Sequence, residues 1–169
     1  MATLRIFYGS TTGNTEDAAR FIAQVLGDKV ECIKDISKAA PEDLSGAGAL
    51  ILGTSTWDDG QLQQDWETFF PKLDGIDLSG KKVALFGLGN AQGFSGQFVN
   101  ALGKLHRKVL ERGGEVVGLW PVEGYTFRES EAVVGDKFCG LVLDNENEQE
   151  KTRDRIMGWL EQIKAEIGL

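Results

Sequence analysis

Directly after the apolar run Leu4 to Tyr8, the chain reads Gly9-Ser10-Thr11-Thr12-Gly13-Asn14-Thr15, and an amphipathic pattern follows at once. Hydroxyls on Ser10, Thr11, Thr12 and Thr15 around two glycines, at the mouth of a helix, make a cradle for an anion. Gly9 and Gly13 let the backbone turn tightly, and the first-turn N–H groups lie at the positive end of the helix dipole. A capped helix start needs one hydroxyl, not four. The stretch is not a P-loop, because Asn14 stands where that pattern requires a lysine after Gly13. With neutral donors alone, the loop suits a monophosphate held permanently better than a nucleotide undergoing hydrolysis. Two aromatic residues stand in comparable places further on. Trp57 lies in Thr54-Ser55-Thr56-Trp57-Asp58-Asp59-Gly60, after the apolar run Ala49 to Gly53, and Phe94 ends the glycine-rich stretch that opens at Gly87. Rings converging above a phosphate cradle describe a slot for a flat aromatic cofactor, where stacking contributes about 0.5–1.5 kcal/mol per pair beyond buried area. Gly87, Gly89 and Gly93 have one residue too many between the second and third for the dinucleotide fingerprint GxGxxG.

Those loops need elements behind them. Ala18, Ala19, Ile22, Val25 and Leu26 form one face of a helix, and strand patterns follow at Val30–Ile33 and at Ala49–Gly53. The latter lacks alternation and predicts a strand buried on both faces. Leu62, Trp66, Phe69, Phe70 and Leu73 mark a second helix, and Val83–Phe86 a fourth strand. Phe98 to Leu110 carries a third helix that stops at Gly113-Gly114. Val116-Val117 opens a last strand, which an insertion from Pro121 to Gly135 splits from its continuation at Phe138–Leu143. Ile156, Trp159, Leu160, Ile163 and Ile167 close the chain as a helix.

Strands alternating with helices over short connections predict right-handed βαβ units. The expected fold class is α/β: a doubly wound three-layer sandwich around a five-stranded parallel sheet of order 2-1-3-4-5, in one domain over residues 1–169. Ligands in that topology bind at the carboxyl ends of strands 1 and 3, where the winding reverses. The loops after Tyr8, Gly53 and Gly87 are therefore the expected functional ones. Cys32 and Cys139 fall on opposite sheet edges, about 19 Å apart, too far for a disulfide, and match no zinc spacing.

With 41% apolar and 26% charged residues the composition is that of an ordinary globular protein, and no apolar run approaches the roughly 20 residues of a membrane span. The start shows no export signal, so a cytoplasmic location is expected. A net charge of −8 argues against nucleic acid and anionic lipid and in favour of basic protein partners.

At this level of detail the chain resembles the long-chain flavodoxins over essentially its whole length. The matching segments are Phe7 to Thr15, Gly53 to Trp57, Phe86 to Asn90, Glu123 to Phe127 and Phe138 to Asp144. The Pro121–Gly135 insertion resembles the one that separates long-chain from short-chain members, and flavodoxins are themselves a type example of the switch-point rule used above. The resemblance implies non-covalent FMN, with Ser10, Thr11, Thr12, Gly13, Asn14 and Thr15 on its phosphate. Thr54 to Gly60 would flank the ring, Thr56 and Trp57 covering one face and Phe94 the other. Leu88, Gly89, Asn90 and Gln97 would line the pyrimidine edge, with Glu146 near the ribityl chain. Position 94 is usually tyrosine and position 90 usually aspartate in the family pattern. Phe94 lacks the hydroxyl, and Asn90 removes one negative charge beside the ring.

The resemblance further implies a low-potential one-electron carrier, a monomer rather than an enzyme, cycling between semiquinone and hydroquinone. Asp58, Asp59, Glu146 and the phosphate would raise the energy of the anionic hydroquinone. One unit charge about 10 Å away is worth roughly 0.4–1.7 kcal/mol, or some 20–70 mV. Gly60 would ease a flip of the peptide after Asp58. Expected partners are redox proteins with basic docking surfaces: a flavin reductase as donor and an iron–sulfur or haem protein as acceptor, with nitrogenase reductase one acceptor the family offers. Asp144, Glu146, Glu148 and Glu150 would ring the flavin edge and steer such partners. His106 reads as a surface residue. An FMN-dependent quinone or nitro reductase is the alternative, though no segment builds its extra substrate pocket. A phosphorelay receiver fails for want of acidic residues where Tyr8-Gly9 and Thr54-Ser55 stand.

Overall fold

The structure, a computed structural model, describes residues 3–57 and 60–169. Its elements run β1 (Leu4–Tyr8), α1 (Asn14–Leu26), β2 (Val30–Asp35), α2 (Pro41–Ser45), β3 (Ala49–Trp57), β4 (Gln61–Leu62), α3 (Gln64–Leu73) and β5 (Lys82–Leu88). Then follow α4 (Asn100–Glu111), β6 (Glu115–Val117), β7 (Trp120–Pro121), β8 (Val133–Val134), β9 (Lys137–Phe138), β10 (Leu141–Leu143) and α5 (Gln149–Ile167).

The principal sheet is parallel, in the order β2-β1-β3-β5, and its last position is shared by two short strands. β6 pairs with Lys82–Ala84 of β5, and β10 with Phe86–Leu88. This is the expected order with the expected split. Side-chain alternation decides which helix covers which face. Phe7, Leu50, Leu52, Val83, Leu85 and Val142 point into a core closed by α3 and α4 through Trp66, Phe69, Leu102 and Leu105. Their neighbours Ile6, Tyr8, Ile51, Ala84, Phe86 and Leu143 point into a second core closed by α1 and α5 through Ala19, Ile22, Trp159 and Ile163. A strand with apolar residues at every position is thereby buried on both sides, as the run Ala49–Leu52 requires.

Two features go beyond the sequence reading. The inserted segment is not bare loop: β7, β9 and β8 form a small antiparallel sheet, and Phe98, Tyr125, Phe127 and Phe138 cluster there with ring centroids 5.1–6.3 Å apart. The residues read as the loop Thr54–Trp57 instead continue β3. Thr54 and Ser55 still pair with Gly87 and Leu88, and Thr56 and Trp57 pair antiparallel with β4. Thr and Trp are good strand formers, so the ladder runs on to Trp57, and Gly60, at φ 92°, stands at the turn into β4.

Candidate functional site

At the carboxyl ends of β1, β3 and β5 lies a cleft of about 230 Å³. Three chain segments form most of its wall: Thr12, Asn14 and Thr15 from the β1–α1 loop, Ser55 to Trp57 from the end of β3, and Leu88 to Asn90 with Phe94 from the loop after β5. Asn145 and Glu146, which follow β10, complete it.

The first wall is a helix start with no cap. Gly13 sits at the N-cap of α1 with φ 96°, and among the described residues no side chain accepts from the first turn. The first helical bond runs from Asp17 N–H to Gly13 O (2.9 Å), so the amides of Asn14, Thr15 and Glu16 have no acceptor within the helix. The Thr15 side chain is 2% exposed and stands at their base. Ser10 Oγ is engaged, accepting from Gly13 N–H (3.1 Å) and so shaping the turn. Thr11 Oγ1 accepts from Gln63 Nε2 (3.2 Å), away from the cleft.

The second wall owes its position to glycine. Gly9 N–H and the buried Trp66 Nε1 both donate to Gly53 O, at 3.0 and 2.7 Å. A Cβ on Gly9 would lie 2.6 Å from Cδ1 of the fully buried Trp66 ring, so glycine lets the first loop and α3 approach this closely. Trp57 Nε1 donates to Ser55 Oγ (2.8 Å), which orients the indole at the cleft. Thr56 Oγ1 accepts from Ala101 N–H (3.1 Å) and ties this wall to α4. Opposite, Phe94 is 40% exposed and borders the cleft from the loop after β5.

Of the remaining sequence-derived candidates, Thr54 is buried with its hydroxyl on Ser55 O, Gly60 packs against Asn100, and Gln97 lies in the turn Ser95–Gln97 outside the lining. Asp58 and Asp59 lie outside the described residues. Asn145 was missed, and only its place directly after the last strand could have flagged it. Two readings need correction. Asp144 is 1% exposed and accepts from Ala91 N–H, so it is no surface charge, and Glu148 is held by Lys151 (2.7 Å) and Arg155 (3.1 Å), the lysine first keeping its carboxyl below the usual range. His106 is 9% exposed rather than a surface residue, and burial lowers its pKa. Among the described residues no cluster of His, Cys, Asp or Glu is placed to hold a metal ion, and no helix is long and apolar enough to cross a membrane.

Together these walls offer open amides and a buried hydroxyl for an anion at one end, and an indole and a phenyl for a planar ring at the other. The fold and cleft define a doubly wound α/β protein whose switch-point crevice is shaped for an aromatic, phosphate-bearing cofactor. The flavodoxin family model matches residues 6–159. Flavodoxin from Synechocystis is 46% identical over 165 residues, covering 97% of each chain, and flavodoxin 1 of Escherichia coli is 42% identical over 170 residues, covering all of this chain and 97% of its own. Flavodoxin of Fusobacterium nucleatum, solved bound to flavin mononucleotide, superposes with a TM-score of 0.92 at 34% identity, covering 98% of this chain and 99% of that one. The chain belongs to the flavodoxin family, which comprises electron-transfer proteins rather than enzymes.

Proposed function

We propose that this chain, acting as one flavodoxin-like domain, is a low-potential one-electron carrier that holds FMN in the cleft at the ends of β1, β3 and β5. The observation that carries this is the uncapped start of α1, opening with a buried threonine into the same cleft that Trp57 and Phe94 border. When bound, FMN supplies reversible one-electron chemistry that no protein side chain here provides.

The chain's own residues do the rest. First-turn amides and the hydroxyls of Thr12 and Thr15 hold the phosphate without a neutralising Lys or Arg, while Ser10 and Gly13 fix the turn that aims them. Trp57 and Phe94 bracket the ring and exclude water from its faces. Leu88, Gly89 and Asn90 border its pyrimidine edge, and Glu146 lies at the rim. Because these donors are neutral, they would leave the phosphate charge uncompensated, which would disfavour a further negative charge in the cleft and lower the potential.

The proposed setting is cytoplasmic and monomeric, with a basic flavin reductase as donor and an iron–sulfur or haem protein as acceptor. Nitrogenase reductase is one such acceptor, and undiminished growth on N₂ after loss of the gene removes it. The reading is tested by the visible spectrum of purified protein and by adding FMN to the apoprotein. Two flavin bands and stoichiometric uptake are expected; colourless protein that takes up no FMN overturns it.

A further inference from the structure

Behind the wall that carries Phe94 lies a hydrogen-bonded clasp built around a buried carboxylate. Asp144, directly after β10, receives three donors: Ala91 N–H on Oδ2 (3.0 Å), Asn147 Nδ2 on Oδ2 (2.8 Å) and Asn147 N–H on Oδ1 (3.1 Å). The amide of Asn147 also donates to Asn90 Oδ1 (2.9 Å), which in turn accepts Gly93 N–H (2.8 Å). Two donors converging on one atom of Asn90 identify that atom as the oxygen. Phe94 N–H closes the loop on Asn90 O (2.9 Å). Ala91 is thus tied directly to a carboxylate that follows another strand, Asn90 through the Asn147 side chain, and Gly93 and Phe94 through Asn90.

We propose that Asp144 and Asn147 are positioning residues of the cleft. Neither lines the cleft itself; through the bond from Asn147 to Asn90, which does, they set where Asn90 and Phe94 stand. Two observations carry this. Loops are ordinarily the mobile part of such a site, yet this one is cross-linked to the sheet end by bonds made inside the protein, where each counts for more than in water. The same residue also fixes the turn holding Asn145 and Glu146, its carboxylate accepting from Asn147 N–H and its backbone carbonyl from Glu148 N–H (2.8 Å), so two walls share one anchor. The buried carboxylate gives these N–H groups their acceptors, whereas an apolar residue of that size would leave three donors without acceptors. The clasp also accounts for Asn90: its oxygen serves as an internal acceptor, a task for which an aspartate is equally suited. That the wall so held receives FMN rests on the function proposed above.

The test is Asn147→Ala, with Asp144→Asn as the second variant should the first not fold. Hydrogen exchange of the apoprotein reads the loop, and titration with FMN and with inorganic phosphate reads the two ends of the cleft. Exchange at Ala91 and Gly93 is expected to quicken about tenfold or more, with Ile51 and Leu52 of β3 unchanged. FMN binding is expected to weaken about tenfold while inorganic phosphate binds as before. Unaltered FMN affinity, or equal loss of protection at β3, overturns the proposal, the latter because it marks global destabilisation. Wild-type protein that binds no FMN overturns the flavin reading alone, and the exchange experiment then decides whether the clasp holds the loop.

Discussion

Thr15 concentrates the chemistry of the anion end in one group. Its side chain is buried at the base of an uncapped helix start, where a hydrogen bond to a charged oxygen contributes about 1.5–3 kcal/mol. Thr15→Val keeps the shape and removes the hydroxyl. It is expected to weaken FMN about tenfold or more while leaving riboflavin, which has no phosphate, unaffected; fluorescence titration of the apoprotein with each compares them. The placement of Thr12, Thr15, Trp57 and Phe94 at one cleft was legible because glycine turns, hydroxyls and loop aromatics carry their signal locally. Asp144 was misread for the opposite reason. Its partner, the amide of Ala91, is fifty-three residues away, and in sequence a buried acceptor of backbone N–H groups looks like any acidic residue of a surface turn.

At the scale of elements, close approach between β3 and β5 depends on Gly53. A Cβ there would fall 2.0 Å from the Phe86 ring, itself fully buried. Gly53→Ala is expected to cost about 1–3 kcal/mol of stability, the usual range for forcing atoms into a packed core, as measured by urea denaturation. The insertion yields a pH prediction. Tyr125 donates to Val142 O and accepts from Trp120 Nε1 (2.9 Å), with the Arg155 guanidinium 4.0 Å over its ring. Burial first of all pushes its pKa from 10.0 up to about 12, against the opposing pull of Arg155. A phenol whose folded value is raised stabilises the protein fully below about pH 10, and that contribution disappears as pH climbs toward about 12. The stability difference between wild type and Tyr125→Phe is therefore expected to shrink over that interval, by at most about 2.7 kcal/mol. The split of the last strand was visible in the interrupted apolar pattern. The small sheet inside the insertion was not, because its strands are two residues long and too short to show a period.

For the whole molecule, charge is the property that sets encounters. A net charge of −8 favours approach of a basic partner, and with Asp144 buried and Glu148 paired, Glu146 and Glu150 are the exposed carboxylates of the turn beside the cleft. Electron transfer from a basic reductase is expected to slow about tenfold between low salt and 0.3 M, where screening reaches only about 6 Å, as followed by stopped flow. A salt-independent rate would remove the electrostatic account. Topology at this scale was legible from the strand–helix alternation alone, since short right-handed crossovers admit few orders.

The divided outer strand also governs how copies of the molecule meet one another. Sheet borders are templates on which a second chain can add itself, and long, flat ones nucleate aggregates. Here one border offers only two three-residue stretches interrupted by an excursion. The opposite border, β2, carries Glu31 and Lys34, engaged with Arg5 and Asp43. Neither margin presents a continuous apolar ladder, so crowded solutions of this protein should stay dispersed, a useful trait in a shuttle that must diffuse freely between stations.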